Sequence, residues 1–484
     1  MTPVLDDHGR SWSAAALHEA TDAAQRTLHQ SGTRRLATLL DNGAAFVVLD
    51  EATADAGIVH LPLPLFFTPA QVQHALRSAG IDTLVAAPAA APLAGNLGWR
   101  QLPIAGEELL VASIGAAAAI DPPPLPPATQ KITFTSGSTA APKGVCLSLQ
   151  AMQRVADGLV QAMAPLQIRR HLVALPLAVL LENIAGLMAP RRAGATVLLQ
   201  PLATLGLRGA VAFDAERFDA VLREREPHSL ILLPQMLRDW CAHLQASHLR
   251  APTGLRLVAV GGAAVGTALV HEALALGVPV GEGWGLSEAA SVQTLNLPGA
   301  MRAGSVGRLL PHARLRVAGD GELLVGGSLF SGYLGGNTEV PEWWPSGDLG
   351  HVDADGFVHI HGRKKNLLIT GFGRNVSPEW VETALRGHTA VAQAVVFGDG
   401  EAALSAVLWP RPAEIADATL QAAVDAANAT LPDYARVARW TRARTTFDTA
   451  SGMATANGRP RREAIAALHA AALHPDPATL TTTA

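Results

Sequence analysis

Cysteine is scarce in this chain: Cys146 and Cys241 are the only two in 484 residues. They stand far apart without partners at metal-binding spacing, which argues against a disulfide scaffold and for a reducing compartment. Charge is also sparse. Charged residues make up 16% and hydrophobic residues 49%, a balance that excludes a disordered or fibrous chain and describes a well-packed enzyme. The formal net charge of −4 comes without a long basic run, so a nucleic-acid partner is disfavoured. No apolar run is long and clean enough to span a membrane. The most apolar stretch, 171–190, contains Glu182, Asn183 and Pro176 and reads as buried core. Near the N-terminus, Asp6 and Asp7 stand where a secretory signal would carry positive charge, so a cytoplasmic location is expected. No internal repeat occurs at solenoid spacing.

What the chain does have is alternation. Helical apolar spacing over 12–30 gives way to a strand over 36–41, a helix over 44–57 and a strand over 58–62. A helix over 68–79 follows, with Thr68 as its cap and Pro69 in its first turn, and then a strand over 84–87. This predicts βαβ units and a mostly parallel sheet. Residues 86–128, rich in Ala and Pro, read as an extended connector. Helices are predicted again over 150–163, 180–192 and 213–225, and strands over 171–175, 196–199, 229–233 and 255–260. From about Val292 short β segments with Gly-rich turns take over, and after Arg363 a basic segment leads to a last α+β piece. The expected fold class is α/β: a large N-terminal domain of mostly parallel sheets flanked by helices, with a β-rich subdomain, and a small α+β C-terminal domain. Expected boundaries are 1–362 for the large nucleotide- and acyl-binding domain, 363–366 for a hinge and 367–484 for a mobile small domain.

The most informative stretch is Thr135-Ser136-Gly137-Ser138-Thr139-Ala140-Ala141-Pro142-Lys143-Gly144-Val145. So many small and hydroxyl residues cannot build a core. They let backbone N–H groups and hydroxyls close around an anion, with Lys143 adding positive charge. The loop leaves a predicted strand end, where α/β folds bind ligands. It is not the common P-loop, because six residues separate Gly137 from Gly144 and no Gly-Lys-Ser/Thr ends it. It closely resembles the phosphate loop of the adenylate-forming superfamily: acyl-CoA synthetases, nonribosomal peptide adenylation domains and luciferases.

Five more segments resemble that family's motifs, in the family's order. Gly261-Gly262-Ala263-Ala264 resembles the adenine platform, where glycines let a flat base approach the backbone. Glu282 leads into Gly283-Trp284-Gly285-Leu286-Ser287-Glu288. There the resemblance implies that Trp284 stacks near the base, Ser287 contacts the α-phosphate and Glu288 holds Mg²⁺, a hard cation that suits carboxylate oxygen. Ser346-Gly347-Asp348-Leu349-Gly350 implies an Asp that binds both ribose hydroxyls. Gly362-Arg363-Lys364-Lys365-Asn366 implies a ribose-contacting Arg363 and a hinge at Lys365. Asn457-Gly458-Arg459-Pro460-Arg461-Arg462 resembles the loop that normally carries a catalytic Lys. By this resemblance Lys143, Glu288 and Arg459 are catalytic. Thr135, Ser136, Gly137, Ser138, Thr139, Gly262, Ala263, Glu282, Gly283, Trp284, Ser287, Asp348 and Arg363 bind ATP or AMP.

The chain departs from the family pattern in three respects. Ala140 stands where Gly is usual, Trp284 and Ser287 replace Tyr and Thr, and Arg459 replaces Lys. Arg keeps the charge but is planar and wider than an ammonium, so the last exchange is not conservative.

The segments 175–182 and 368–378 resemble acyl-CoA synthetases of the fatty-acid type. The short connection from Arg363 to Gly371 leaves no room for the insertion of fatty acyl-AMP ligases. The implied reaction is ATP-dependent activation of a carboxylic acid as an acyl-adenylate with release of pyrophosphate. The acyl group then passes to the thiol of CoA, or to the phosphopantetheine of a separate acyl carrier protein, since no carrier motif is visible. The acyl pocket is expected around Val179, Glu182, Met236 and Ala264, the thiol acceptor near Gly371 and Arg374. The apolar pocket without an obvious Asp favours a fatty or aromatic acid over an amino acid, as in a ligase of secondary metabolism. A catalytically weak homologue serving as a nucleotide- or acyl-binding accessory protein, motivated by Arg459 and Ala140, and a luciferase-like oxygenase are the alternatives.

Overall fold

The computed structural model describes residues 3–114, 123–135, 143–208, 212–336, 339–371, 374–455 and 458–473. The βαβ alternation becomes two wound sheets. In the nine-stranded sheet, Leu5–Asp7, Thr196–Leu199, Arg170–Leu172, Ser229–Leu232, Leu257–Val260 and Val280–Leu286 lie side by side and parallel, with antiparallel strands at the edges. In the eight-stranded sheet, Arg35–Leu39 sits between Val59–Pro62 and Thr83–Ala86, all parallel. The helix Ala44–Ala56 explains how the two sheets join. Ala44 through Asp50 are all buried, and a helix apolar on all sides must be enclosed on all sides. Its residues share one core with Leu5 and Val197 of the first sheet and Leu36 and Val85 of the second.

Two expectations need correction. The supposed connector over 86–128 contains a hairpin, Arg100–Ile104 with Glu107–Ser113, which extends the second sheet antiparallel to Thr83–Ala86. Its two turn residues, Ala105 and Gly106, both have positive φ, as primed hairpin turns require. Ala in place of Asn hides that signal in the sequence. The helix expected over 180–192 is wound as a π-helix over Glu182–Met188 before a short α-turn, Ala189–Arg192. This winding turns Glu182 and Asn183 inward, where they meet buried partners.

One of those partners anchors the strand Thr129–Thr135, which leads to the expected phosphate loop. Lys131, in Thr129–Thr135, donates to Asn183 Oδ1 at 2.5 Å and lies 2.7 Å from Asp50 Oδ1. His60 Nδ1 is also 2.7 Å from Asp50 Oδ1. Burial alone would raise the Asp50 carboxyl, but Lys131 and His60 hold it well below the usual carboxylate range. A buried charge so paired is costly to break from either side.

Farther along, Arg314–Val317, Glu322–Gly326, Trp344–Val352 and Val358–Arg363 form a four-stranded antiparallel sheet. The last part is α+β as expected: Val391–Phe397, Leu404–Pro410 and Val437–Arg442 pack with the helices Pro378–Arg386 and Asp417–Thr430 around their own core. Among the described residues no helix is long and apolar enough to cross a membrane.

Candidate active site

In the four-stranded sheet, Asp348 lies directly opposite Arg363. Arg363 Nε is 2.9 Å from Asp348 Oδ1, and its Nη1 donates to the Ser346 carbonyl at 3.0 Å. The indole Nε1 of Trp284 donates to Asp348 Oδ2 at 2.8 Å. Burial pushes the Asp348 carboxyl above its ordinary value, against the pull of Arg363, Trp284 and Arg459. An ionised carboxylate has about four acceptor sites, so Asp348 can still accept from two neighbouring hydroxyls of a sugar.

The residues expected to form the adenine platform lie nearby. The strand Leu257–Val260 ends in Gly261-Gly262, and Gly262 has φ +84°, a conformation that glycine adopts at little cost. A Cβ at Gly261 would meet the Gly283 carbonyl at 3.2 Å, so the two strand ends form a flat, close-set surface. Glu282 Oε1 accepts from the Val265 N–H at 3.1 Å, and burial raises its carboxyl to about 7.

Glu288 sits in the turn Ser287–Ala289 and accepts from the Tyr333 hydroxyl at 2.8 Å. Burial and the Glu288 charge push the phenol upward, so Tyr333 remains a donor. Its ring lies 5.3 Å from Lys143 Nζ, and Gly332–Tyr333 pairs antiparallel with Val145-Cys146 just beyond that lysine. Tyr333 thus ties the Glu288 turn to the strand Lys143–Ser148. Among the described residues no three His, Cys, Asp or Glu converge as a metal cage. Mg²⁺ is ordinarily held by one or two carboxylates, substrate phosphates and water, a role for which the Glu288 carboxylate is chemically suited.

Arg459 reaches the same cleft from the C-terminal part. Surrounding protein and the Arg363 charge push its guanidinium down, while Asp348 and Glu288 favour the cation. Its loop is closed by Thr455, whose N–H donates to the Arg459 carbonyl at 2.8 Å.

The cleft has a volume of about 3330 Å³, several times a typical small-molecule pocket of roughly 300–1,000 Å³. Lys143, Gly262, Ala263, Glu282, Gly283 and Trp284 line it. So do Ser287, Glu288, Asp348, Arg363, Lys365 and Arg459. Val179, Met236 and Ala264 of the expected acyl pocket also line it. Glu182 stands behind the wall, fully buried, with Oε1 accepting from the Ala174 N–H at 3.0 Å. Gly371 and Arg374 lie away from the cleft, in the hairpin of Leu368–Ile369 and Asn375–Val376, where the Gly371 N–H donates to the Glu401 carbonyl at 2.7 Å. The backbone of Thr135 pairs with Lys143 at the loop's base. Ser136, Gly137, Ser138, Thr139, Ala140 and Asn457 lie outside the described residues.

Sequence reading missed two partners: Tyr333 on Glu288, and the Trp284 indole on Asp348. The only hint of the first was rarity, since the chain has two tyrosines. The second required knowing that residues 284 and 348 share a wall.

Removing the Asp348 carboxylate tests its expected contact with the ribose. A hydrogen bond to a charged group contributes about 1.5–3 kcal/mol, so Asp348→Ala weakens AMP binding about 10- to 100-fold. Calorimetry reads this directly, and unchanged affinity would remove Asp348 from the nucleotide site.

Lys143, the turn at Glu288, Asp348 and Arg459, far apart in the sequence, meet across one cleft, as expected of an adenylate-forming enzyme. The chain belongs to the AMP-binding enzyme family, whose model matches residues 2–334; the model of the AMP-binding enzyme C-terminal domain matches residues 365–474. Among its relatives, it is 32% identical to the long-chain-fatty-acid–CoA ligase FadD15 of Mycobacterium bovis, over 76% of this chain and 71% of that one. It is 32% identical to the indoleacetate–CoA ligase of Aromatoleum aromaticum, over 70% and 66%. Among solved structures, the anthranilate CoA ligase AuaEII in complex with anthranoyl-AMP superposes with a TM-score of 0.79 at 21% identity, covering 97% of this chain and 95% of that one. The Bacillus subtilis o-succinylbenzoate CoA synthetase with ATP and magnesium gives 0.71 at 22%, covering 91% and 92%.

Proposed function

We propose that the chain is an acid–thiol ligase: it joins a fatty or aromatic carboxylate to the α-phosphate of ATP, releases pyrophosphate and passes the acyl group to CoA. The observation that carries this reading is the convergence of Lys143, Glu288, Asp348 and Arg459 on one cleft whose far wall is apolar. The chemical difficulty is that two anions must meet. Lys143 and Arg459 lower that barrier by lying where negative charge gathers, and Asp348 with Arg363 fixes the nucleoside so that the α-phosphate faces the acid. Glu288, oriented by Tyr333, would hold Mg²⁺, which neutralises the triphosphate when bound. Attack of the thiol on the mixed anhydride then expels AMP. The similarity to CoA ligases supports CoA as the acceptor; a free acyl carrier protein is the second candidate, and the same assay separates them. Fatty and aryl acids with ATP are offered to the enzyme with CoA or with holo carrier protein, and thioesters are read by mass spectrometry. Acyl-CoA from an apolar acid is the expected product. Absence of acid-dependent pyrophosphate exchange across the panel would favour an accessory, binding-only protein.

The proposed division is 1–362, a hinge at 363–366 and 367–484. In this arrangement the small domain is docked with Arg459 in the cleft. Arg238 Nη1 donates to the Arg386 carbonyl at 2.6 Å, and Arg411 Nη2 lies 2.5 Å from Asp239 Oδ1. Thioester formation requires the Arg459 loop to leave, and Lys365 lies where the chain can swivel. Proline fixes φ, so Lys365→Pro blocks one of the two arrangements. Pyrophosphate exchange survives while thioester formation falls sharply. Equal loss of both half-reactions would place the hinge elsewhere.

A further inference from the structure

Arg459 enters the cleft on a loop whose own bonds are local. The Arg459 N–H donates to Thr455 Oγ1 at 3.2 Å, the Thr455 N–H to the Arg459 carbonyl at 2.8 Å, and the Arg461 N–H to the Met453 carbonyl at 2.8 Å. These bonds close the loop on itself and do not aim it. Aim matters, because a misplacement of about 1 Å at a reacting centre can cost about 10²-fold in rate.

Arg462, three residues on, ties the loop to the body of the C-terminal part. Its Nη1 lies 2.6 Å from Glu382 Oε1 and donates to the Val396 carbonyl at 3.0 Å, and its Nη2 lies 3.5 Å from Glu379 Oε1. Glu382 is buried, and its Oε1 also accepts from the Val396 N–H at 2.9 Å. Burial pushes that carboxyl upward, against the pull of Arg462. One guanidinium thus joins the helix Pro378–Arg386 and the strand Val391–Phe397, which share a core. The same helix carries the docking contacts. Glu379, Glu382, Thr383 and Arg386 recur at the spacing of one helix face. The Arg386 carbonyl, at the helix end where internal partners run out, accepts from Arg238 Nη1 at 2.6 Å. Gly266 approaches so closely that a Cβ there would come within 2.7 Å of Thr383 Cγ2.

We propose that Arg462, held by Glu382, is the residue that positions Arg459: through this pair, docking of the helix Pro378–Arg386 fixes where the Arg459 cation lies. This role rests on the reading of Arg459 as the charge that serves adenylate formation. Arg462 is a positioning residue, since its terminal nitrogens are directed at Glu382, Glu379 and Val396. The planar fork of arginine reaches a carboxylate and a carbonyl together, which the point charge of lysine does less well.

The test follows each half-reaction in single turnover, in the full chain with a fatty acid, ATP and CoA. Arg462→Met is expected to slow adenylate formation by about 10²-fold, and Arg462→Lys by less. Transfer from preformed acyl-adenylate to CoA stays close to the wild-type rate in both. A residue that acts through another has little effect once that other is gone, so Arg462→Met adds less than about 3-fold to the loss in Arg459→Ala. Arg462→Met leaves Glu382 buried without its partner, so Arg462→Met with Glu382→Gln is the second variant, and it shows the same split between half-reactions. Equal loss of both half-reactions, losses that multiply with Arg459→Ala, or wild-type adenylation in Arg462→Met overturns the proposal. Wild-type adenylation in Arg459→Ala, or no acid activated at all, fails the reading of Arg459 or of the ligase by itself. Hydrogen exchange then decides the positioning: in Arg462→Met, amides of 452–455 and 458–461 exchange faster while Val391–Phe397 and Leu404–Pro410 keep their protection. Unchanged exchange in the loop, or faster exchange throughout, overturns it.

Discussion

Arg459→Ala lowers the rate of acyl-adenylate formation by about 10²- to 10³-fold, the usual loss when one preorganised charge at a reacting centre is removed. The cation faces Asp348 and Glu288 across the cleft, where carboxylate and α-phosphate meet in the proposed reaction. The same variant passes preformed acyl-adenylate to CoA at close to the wild-type rate, because in the proposed second arrangement the loop has left the cleft before the thiol enters. Arg459→Lys keeps or raises the adenylation rate, since a point charge sits between two oxyanions more readily than a planar fork. Single-turnover measurement of each half-reaction reads both effects. An Arg459→Ala enzyme that adenylates at the wild-type rate would show the loop to be non-catalytic and favour the accessory-protein reading.

Glu288→Gln cuts adenylate formation by at least about 10²-fold while nearly preserving side-chain volume. The amide still accepts from the Tyr333 hydroxyl, so the turn is held, but the negative charge that would hold Mg²⁺ is gone. Raising Mg²⁺ therefore restores part of the rate in Glu288→Gln and little in wild type. Tyr333→Phe is the milder companion: it leaves the carboxylate in place and frees its orientation, with a smaller loss in rate. Pyrophosphate exchange near wild type in Glu288→Gln would remove Glu288 from the site.

Much of this was legible because each motif is local. Glycine at 261 and 262, the turn before Asp348 and the basic run from Arg363 are fixed by backbone demands that a few adjacent residues reveal. The wound sheets were legible for a similar reason, since apolar runs such as 229–232 and 257–260 have the length and composition of buried strands. What stayed hidden were relations across the chain. Tyr333 meets Glu288 only because Gly332–Tyr333 pairs with Val145-Cys146. Trp284, expected to stack near the base, donates its indole proton to Asp348, 64 residues away. Glu182, expected in the pocket, turned behind its wall because the chain winds there as a π-helix. No single-sequence periodicity distinguishes that winding from an α-helix over seven residues.

The central claim is that the carboxylate of an apolar acid attacks the α-phosphate of ATP and leaves as a thioester. Isotope transfer tests this most directly. The acid is supplied with both carboxylate oxygens heavy-labelled, together with ATP, Mg²⁺ and CoA, and the products are read by mass spectrometry. Attack through a carboxylate oxygen followed by thiol displacement leaves one heavy oxygen on AMP and one in the acyl-CoA. Thioester without label in AMP, or ADP in place of AMP, would contradict the account.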